Sequence, residues 1–377
     1  MINDNTLSEW CALHESEQAK LLRTLCAIPA PSHHEEKRAA FIREWLSENG
    51  ACSAYTDEVN NVVLPLDCEG SADIDLYMAH TDVVFPDMTP LLVREEGGNL
   101  YAPGVGDDTA NVVALMMCAK FMFETGHTPE RPSLIVFNVC EEGLGNLKGV
   151  KNIMEDFAGR IRSFISFDGE MGSIVHKAVG SERWSVVART QGGHSYGDFG
   201  NRNAIHALSS LIATLYTMKA PDQNGGRSTY NVGRIEGGTS VNTIAQEASM
   251  LFEYRSDDRE CLEIMHRAFH AAVDAYRAIG TDFELELLGV RPCTGKVDDA
   301  AQNAHLCKCV KVIEKPLGHT PELRSGSTDA NIPLCLGISS AVFGLYRGGG
   351  AHTRGEWVEL ASLNAGLLCA LRLILQT

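Results

Sequence analysis

Five side chains of this 377-residue chain have the chemistry of metal ligands. Two histidines and three carboxylates, without cysteine, form a ligand set that suits Zn²⁺, Mn²⁺ or Co²⁺. Five ligands are too many for one tetrahedral catalytic zinc, but they fit two ions about 3.5–4 Å apart that share one carboxylate. Each ion would then have one histidine, one terminal carboxylate and the bridge, which leaves a position for water. The five residues are His80, Asp107, Glu142, Asp168 and His352.

These residues, and the acids beside them, stand just after predicted strands. Taken singly, each has an ordinary explanation: Asp107-Asp108 before a helix is typical of an N-cap, and Asp168-Gly169 of a turn. Those separate explanations do not account for why all of these residues follow strands. The carboxyl ends of the strands are where α/β sheets place their functional sites. Like charges packed this densely repel unless a cation lies among them. The strands are predicted over 74–79, 133–140, 163–167 and 341–346.

The elements that carry these residues alternate between strand and helix. This alternation predicts a three-layer α/β domain with a mainly parallel sheet. Near Gly180 the pattern changes to half-exposed strands and amphipathic helices, which indicates a separate α+β unit with antiparallel strands. We therefore predict a discontinuous catalytic domain over 1–179 and 293–377, with a domain inserted over 180–292. The segment 283–288 is expected to return towards the first domain.

Composition excludes several classes of partner. The chain has 32 Lys+Arg against 49 Asp+Glu, a net charge of −17, which argues against binding a nucleic-acid backbone. No apolar run has the length of a membrane helix, and the N-terminus lacks the features of a secretory signal. A cytoplasmic location is therefore expected. The 12 cysteines form no Cys-x-x-Cys pair, so we expect reduced, mostly buried thiols in a reducing compartment.

A rival motif comes from another mechanistic class. Gly193-His-Ser-Tyr-Gly197 matches the nucleophile elbow of serine hydrolases, and Ser195, Asp329 and His352 occur in the right chain order. The elbow must open directly into a helix, however, and the sequence after Gly197 is typical of a loop. Ser195 also falls in the predicted insertion, and a triad would leave the carboxylates at the strand ends without a role. The metal site is the stronger hypothesis.

The motifs together resemble the M20 family of metallopeptidases over nearly the whole chain, and within it the tripeptidase (peptidase T) branch. The branch is indicated by Asp168, by the segment Asn231–Asn242 and by Ser327-Thr-Asp-Ala-Asn331. The family motifs are His80-Thr-Asp82, Gly106-Asp-Asp108, Glu141-Glu142-Gly143, Asp168-Gly169, Gly192-Gly-His-Ser195 and Gly350-Ala-His352.

The resemblance implies a role for each residue of the site. His80 and Asp168 would hold one ion, Glu142 and His352 the other, and Asp107 would be the bridge. The inserted domain would act as a lid and carry the contacts of a homodimer. The resemblance implies further roles for residues outside the ligand set: Glu141 as general base, Asp82 as the group that orients His80, His194 as the oxyanion stabiliser in a neighbouring active site, Arg255 as the partner of a substrate carboxylate, and Asn242 as a substrate contact.

The implied activity is a two-metal hydrolase, with zinc as the first candidate metal and cobalt or manganese as others. The expected substrate is a small peptide cleaved by a tripeptidase-like aminopeptidase. The alternatives are an N-acyl amino acid deacylase or a dipeptidase that uses the same metal site. Two departures bear on the substrate, since the branch usually has Met where Thr81 stands and Lys where Thr109 stands.

Overall fold

The computed structural model describes residues 4–376, and the chain divides into two compact units. One unit comprises the segments up to Lys177 and from Gly295, and the other is Ala178–Thr294. The helices are α1 Asp4–Cys26, α2 Glu36–Glu48, α3 Asn111–Thr125, α4 Lys148–Asp156, α5 Ala204–Leu215, α6 Arg259–Ala278, α7 Asp299–Leu317, α8 Asn331–Cys335 and α9 Leu363–Leu375. Short helical turns span Val105–Ala110, Gly143–Gly145, Gln223–Gly225 and Leu360–Ser362.

The strands are distributed over both units. They are β1 Tyr55–Thr56, β2 Val62–Leu66, β3 Ile74–His80, β4 Arg94–Glu96, β5 Asn99–Tyr101, β6 Ser133–Asn138, β7 Ile161–Phe167, β8 Ser173–Ala178, β9 Gly180–Arg189, β10 Gly193–His194, β11 Ser228–Gly237, β12 Thr243–Ile244, β13 Glu247–Ser256, β14 Phe283–Arg291, β15 Glu322–Gly326, β16 Ser339–Phe343, β17 Gly348–Gly349 and β18 Trp357–Glu359.

The first unit is built on an eight-stranded sheet with the order β1-β2-β6-β3-β7-β16-β8-β15. Its four central strands, β6, β3, β7 and β16, run parallel to one another, while β2 and β8 flank them in antiparallel pairings. The parallel strands have buried residues along nearly their whole length, as expected for strands covered on both faces. A smaller sheet, β17-β18-β5-β4, lies in the same unit.

Helices cover both faces of the large sheet. Tyr77 and Phe137 belong to one buried apolar cluster with residues of α1, α2, α3, α7 and α9. Their neighbours Met78 and Val136 are also buried, and side chains alternate between faces along a strand. On that side, α8 contacts both α4 and β16. The predicted three-layer α/β fold is confirmed.

The second unit has its own core and a four-stranded antiparallel sheet with the order β11-β13-β9-β14. Helices α5 and α6 pack on this sheet, and a two-stranded ribbon pairs β10 with β12. The expectation for 283–288 was wrong, because β14 pairs with β9 inside this unit. The alternation of Phe283, Leu285 and Leu287 with acids is typical of a strand with one buried face.

Two further properties concern the chain as a whole. No helix between residues 4 and 376 has the length and apolar character needed to cross a membrane. All 12 cysteines are free thiols, and nine of them are buried, as the sequence predicts. Five of the buried thiols lie in the large apolar core: Cys11, Cys26, Cys118, Cys309 and Cys369. Burial raises the pKa of Cys11, Cys26 and Cys309 to about 12, which keeps them protonated.

Candidate metal centre

The candidate ligands converge at the carboxyl ends of the central strands. His80 is the last residue of β3, Asp168 directly follows β7, and Glu142 stands four residues beyond the end of β6. Because these strands are parallel neighbours, their ends meet at one edge of the sheet. Asp107 reaches this edge from the turn before α3, and His352 from the loop between β17 and β18.

Asp107 lies between the two histidines, with one carboxylate oxygen towards each. Its Oδ1 is 3.0 Å from Nε2 of His80, and its Oδ2 is 3.1 Å from Nε2 of His352. Oδ1 of Asp168 is 3.9 Å from the same nitrogen of His80. Oε1 of Glu142 is 3.0 Å from the same nitrogen of His352. The site therefore has two halves, each with one histidine and one carboxylate, joined by the carboxylate of Asp107.

The donor atoms in each half are close enough to share an ion. Atoms of His80, Asp107 and Asp168 lie within 4.8 Å of one another, and so do those of Asp107, Glu142 and His352. Nitrogen and carboxylate oxygen donors, with no thiolate, fit Zn²⁺, Co²⁺ or Mn²⁺. Two ions that share one carboxylate are the arrangement that this donor set fits.

The electrostatics of the site show an excess of buried negative charge. Burial, reinforced by the nearby Asp107, raises the pKa of Asp168 to about 7. The carboxylates of Asp107 and Glu142 raise the pKa of His352 to about 11. Burial alone would lower the pKa of His80, but Asp108 and Asp107 outweigh it and hold that pKa well above its usual value. The surrounding acids therefore favour positive charge at this edge of the sheet.

Asp82 holds several parts of the site in place. It is fully buried, and its Oδ1 is 3.4 Å from Nδ1 of His80, whose Nε2 faces Asp107. The backbone N–H groups of Glu141 and Glu142 donate to its two oxygens at 3.0 and 2.9 Å. Ser32, which was not predicted, donates its hydroxyl to Asp82 at 2.6 Å. Asp82 thus contacts His80 and the backbone of both glutamates, which fits the orienting role expected of it.

Asp108 has a different environment from Asp107, to which it is joined by a cis peptide bond. Its Oδ2 accepts the backbone N–H of His80 at 2.9 Å, and its Oδ1 accepts Nδ2 of Asn111 at 2.6 Å. Burial raises the pKa of Asp108 well above its usual value. Both oxygens of Asp108 accept hydrogen bonds, one from a backbone N–H and one from a side-chain amide, whereas those of Asp107 face the histidines. This difference favours Asp107 as the shared ligand.

A carboxylate that sequence reasoning missed, that of Glu356, binds the backbone of the loop that carries Asp107. Glu356 is 1% exposed and accepts backbone N–H bonds from Gly104, Gly106 and Asp107. Burial raises the pKa of Glu356 to about 7. Its only signal in the sequence is an acid four residues after His352, and no predicted strand or helix led to it.

The two positions where the chain departs from the tripeptidase pattern have structural partners. The buried guanidinium of Arg38 donates to the backbone carbonyl of Thr81 at 2.8 Å and to Oγ1 of Thr109 at 3.3 Å. The Thr109 hydroxyl in turn donates to the carbonyl of Gly104 at 2.5 Å. Both threonines thus lie at the base of the site and support its backbone.

The predicted lid residues lie in the second unit. His194 is in β10, and Asn242 directly precedes β12, the partner strand of β10. Next to this pairing, the N–H of Ser195 donates to the carbonyl of Asn242 at 3.0 Å. The carboxylate of Asp198 accepts the backbone N–H of His194 at 2.6 Å and so fixes the backbone there. Arg255 is in β13 and forms two hydrogen bonds of 3.0 Å with Glu253.

The rival serine motif lacks the local structure that a nucleophile elbow requires. The segment after Ser195 is a series of turns, and the next helix, α5, begins at Ala204 rather than directly after the motif. Asp329 accepts a 2.7 Å hydrogen bond from Asn138, while His352 faces Asp107 and Glu142. The strand-to-helix turn of a nucleophile elbow is therefore missing between Gly193 and Ala204.

Fold and site together are those of a metallopeptidase with an α/β catalytic domain. Residues 76–376 match the model of Peptidase family M20/M25/M40, and the chain belongs to this family. It is 27% identical over 350 residues to a succinyl-diaminopimelate desuccinylase of Corynebacterium glutamicum, covering 89% of this chain and 90% of the relative.

Solved structures with the same fold include two peptidases. Aminopeptidase PepT from Bacillus cereus has a TM-score of 0.73 at 20% identity, over 96% of this chain and 99% of that one. A dinuclear metal-binding peptidase of the M20 family from Bacillus subtilis has a TM-score of 0.64 at 16% identity, over 97% of this chain and 99% of that one. At these identities, the likeness concerns the fold.

Proposed function

We propose that this protein is a two-metal aminopeptidase that cleaves short peptides, with tripeptides as the expected substrates. The observation that carries the proposal is the carboxylate of Asp107, whose two oxygens lie 3.0 and 3.1 Å from two different histidines. A bridging carboxylate between two His–carboxylate halves is the geometry that a pair of ions needs. We assign His80 and Asp168 to one ion, and Glu142 and His352 to the other.

Zn²⁺ is the first candidate for both ions, with Co²⁺ or Mn²⁺ as alternatives, and the ions would polarise an amide carbonyl and lower the pKa of a water molecule towards about 7. Glu141 would accept the proton of that water and return it to the leaving nitrogen. Its backbone is fixed by Asp82, and its side chain is 5% exposed beside the other candidate ligands. Only one of the adjacent glutamates can conveniently face a metal, and Glu142 is the one that faces His352.

The inserted unit is proposed to supply substrate contacts. By resemblance to the family, His194 would stabilise the oxyanion in a neighbouring active site, and Arg255 would bind the substrate carboxylate. Asn242 would contact the substrate. The hydrogen bond from the N–H of Ser195, next to His194, to the carbonyl of Asn242 supports a shared role for His194 and Asn242. We propose a homodimer formed through the inserted unit, because the assignment of His194 needs a second copy.

The alternative substrate is an N-acyl amino acid, and the alternative activity is that of a deacylase or dipeptidase. The desuccinylase relative from Corynebacterium glutamicum supports this reading, because it covers most of both chains. The likeness to aminopeptidase PepT supports the peptide reading. Both hypotheses use the same metal centre, so they differ only in the substrate.

We also propose a cytoplasmic location, which the twelve free thiols support, since a reducing compartment keeps thiols from forming disulfides.

A substrate panel tests the proposal. Protein stripped with a chelator should be inactive, and Zn²⁺, Co²⁺ or Mn²⁺ should restore the release of the N-terminal residue from free tripeptides. Preferential hydrolysis of N-acetylated or N-succinylated amino acids would favour the deacylase instead. Full activity in chelator, with inactivation by a serine-reactive phosphonate, would overturn the metal mechanism in favour of Ser195.

A further inference from the structure

The backbone loop that carries Asp107 is held by one buried carboxylate. Oε1 of Glu356 accepts the N–H of Gly106 at 2.8 Å and that of Asp107 at 2.7 Å, while Oε2 accepts the N–H of Gly104 at 2.9 Å. The backbone carbonyl of Glu356 also accepts the N–H of Ala102 at 3.2 Å. Since Glu356 is 1% exposed, bulk water is not in reach to replace its carboxylate. These four bonds fix the segment 102–107 against Glu356.

The path of this loop depends on the same hold. Gly104 has a φ of +71°, a conformation that residues other than glycine rarely adopt. A Cβ at Gly106 would lie 2.3 Å from the hydroxyl of Tyr346, so the backbone there is confined between Tyr346 and Glu356. A loop so confined has little conformational freedom, and its backbone therefore fixes the position of Asp107.

Glu356 also ends the turn that presents His352. The N–H of Thr353 donates to the carbonyl of Gly350 at 3.0 Å, and the N–H of Glu356 donates to the carbonyl of Thr353 at 3.2 Å. The turn then enters β18, which pairs with β5. Glu356 therefore binds the loop of one candidate ligand and belongs to the turn of another, four residues from His352.

The two halves of the metal centre are supported differently. His80 is the end of a central strand and is 1% exposed, and Asp168 directly follows another central strand. The side chain of His352 is 57% exposed and stands on a turn outside the large sheet. Loss of the hold between turn and loop should move His352 and Asp107 relative to each other, while His80 and Asp168 keep their places at the strand ends. The half that contains His352 should therefore change more than the half that contains His80.

We propose that Glu356 is a positioning residue that sets His352 against Asp107 and thereby controls the affinity of one metal half-site, the half formed with Glu142. The inference rests on the two-metal centre of the proposed function. Groups that orient ligands from behind typically change metal affinity by about 10- to 100-fold when removed. Because Asp107 belongs to both halves, the expected defect is unequal: the equivalent held with His352 is weakened more than the equivalent held with His80.

The test is a titration of chelator-stripped protein with Co²⁺, followed by calorimetry and by the visible absorption of cobalt. Wild-type protein should bind two equivalents. Glu356→Gln can keep the two bonds to one oxygen but turns an N–H donor towards Gly104, so it should weaken one equivalent about tenfold. Glu356→Ala loses all three side-chain bonds and should weaken the same equivalent more. Equal losses at both equivalents, or none in either variant, would overturn the proposal.

A double-mutant cycle separates positioning from general stability. If Glu356 acts through His352, then Glu356→Gln should weaken the half-site of Glu142 less than about threefold in a His352→Ala background, against about tenfold when His352 is present. Additive losses in the double variant would contradict this coupling. The cycle uses the glutamine variant, which retains folding if Glu356→Ala does not.

Asp57→Asn is the matched control. Asp57 is also a carboxylate that accepts two backbone N–H bonds in a loop, from Val59 at 3.0 Å and Asn61 at 2.8 Å, but it is not among the candidate ligands. Its substitution should leave both cobalt equivalents unchanged, even where the melting temperature falls. A selective loss in this control would show that stability alone produces the effect and would overturn the assignment. If wild-type protein binds no pair of ions, the proposed metal centre itself fails, which is a distinct result.

Discussion

Glu141 and Glu142 are neighbours in the chain, but they face different tasks at the strand end. Their backbone N–H groups each donate to one oxygen of Asp82, which holds them as a pair. Glu142 directs Oε1 to within 3.0 Å of His352. Glu141 is buried beside His80 and Glu142 and is the residue proposed as the general base. The chemistry of the site therefore depends on which glutamate holds metal.

Replacing Glu141 by Gln should separate metal binding from turnover. We expect the variant to retain two metal equivalents and to lose about 10²-fold to 10⁴-fold in kcat, the usual contribution of a general base. Glu142→Gln is the matched control, because the same isosteric change should lose metal as well as activity. Metal content by mass spectrometry and peptide hydrolysis are the measurements. A near-normal rate in Glu141→Gln would remove Glu141 as the base.

Sequence reasoning found the five candidate ligands because strand ends and hydrophobic periodicity are visible in the chain. It could not choose between Asp107 and Asp108 by spacing, since the two are adjacent. The structure distinguishes them by their partners, because the oxygens of Asp108 hold His80 and Asn111. Glu356 was missed because its three bonds go to backbone atoms about 250 positions away, and no side-chain pattern records such contacts.

At the scale of elements, Arg38 joins parts of the first unit that are distant in sequence. This residue of α2 is fully buried and donates to the carbonyls of Leu25, at the end of α1, and Ile28 at 3.1 and 2.8 Å. It also donates to the carbonyl of Thr81, directly after β3. One guanidinium thus connects two helices to the strand end that carries His80.

Replacing Arg38 by Met should destabilise the protein more than any exposed arginine would. The change leaves buried carbonyls without donors and removes a buried cation, so we expect the free energy of unfolding to fall by about 3 kcal/mol. Arg43→Met, on the exposed side of the same helix, should change it by less than about 0.5 kcal/mol. Urea denaturation of the metal-free variants measures both. Equal effects at the two positions would contradict this role for Arg38.

The helices and strands near the site were predictable within a few residues, because buried strands and amphipathic helices have clear periods. Helix α1 was not predicted, although Leu7, Leu21 and Leu25 lie on its buried side at helical spacing. The helix was missed because the N-terminal segment is rich in polar residues, which hide the periodicity of its apolar positions. The strand β14 was expected to return to the first unit, because sequence alone does not give the partner of an alternating strand.

At the scale of the whole molecule, the sheet of the inserted unit has two edge strands, which differ in length and exposure. β11 is ten residues long and mostly exposed, and Ile235 on it is 51% exposed. β14 forms the opposite edge, and its Leu287 is 47% exposed. Long edges with apolar side chains invite pairing with another chain. We propose that the homodimer pairs through β11, which is the longer and more exposed of the two edges.

The proposed dimer makes a prediction that distinguishes the two edges. Wild-type protein should sediment at twice its 41.0 kDa mass, and Ile235→Lys should shift it towards the monomer. A lysine buried against a second copy, without a partner, should raise the dissociation constant by roughly tenfold or more. Leu287→Lys makes the same change at the other edge and should leave the dimer intact. A monomeric wild type, or a dimer broken only by Leu287→Lys, would overturn the assignment to β11. Because His194 is proposed to act in a neighbouring active site, Ile235→Lys should also lower kcat at protein concentrations where it is monomeric.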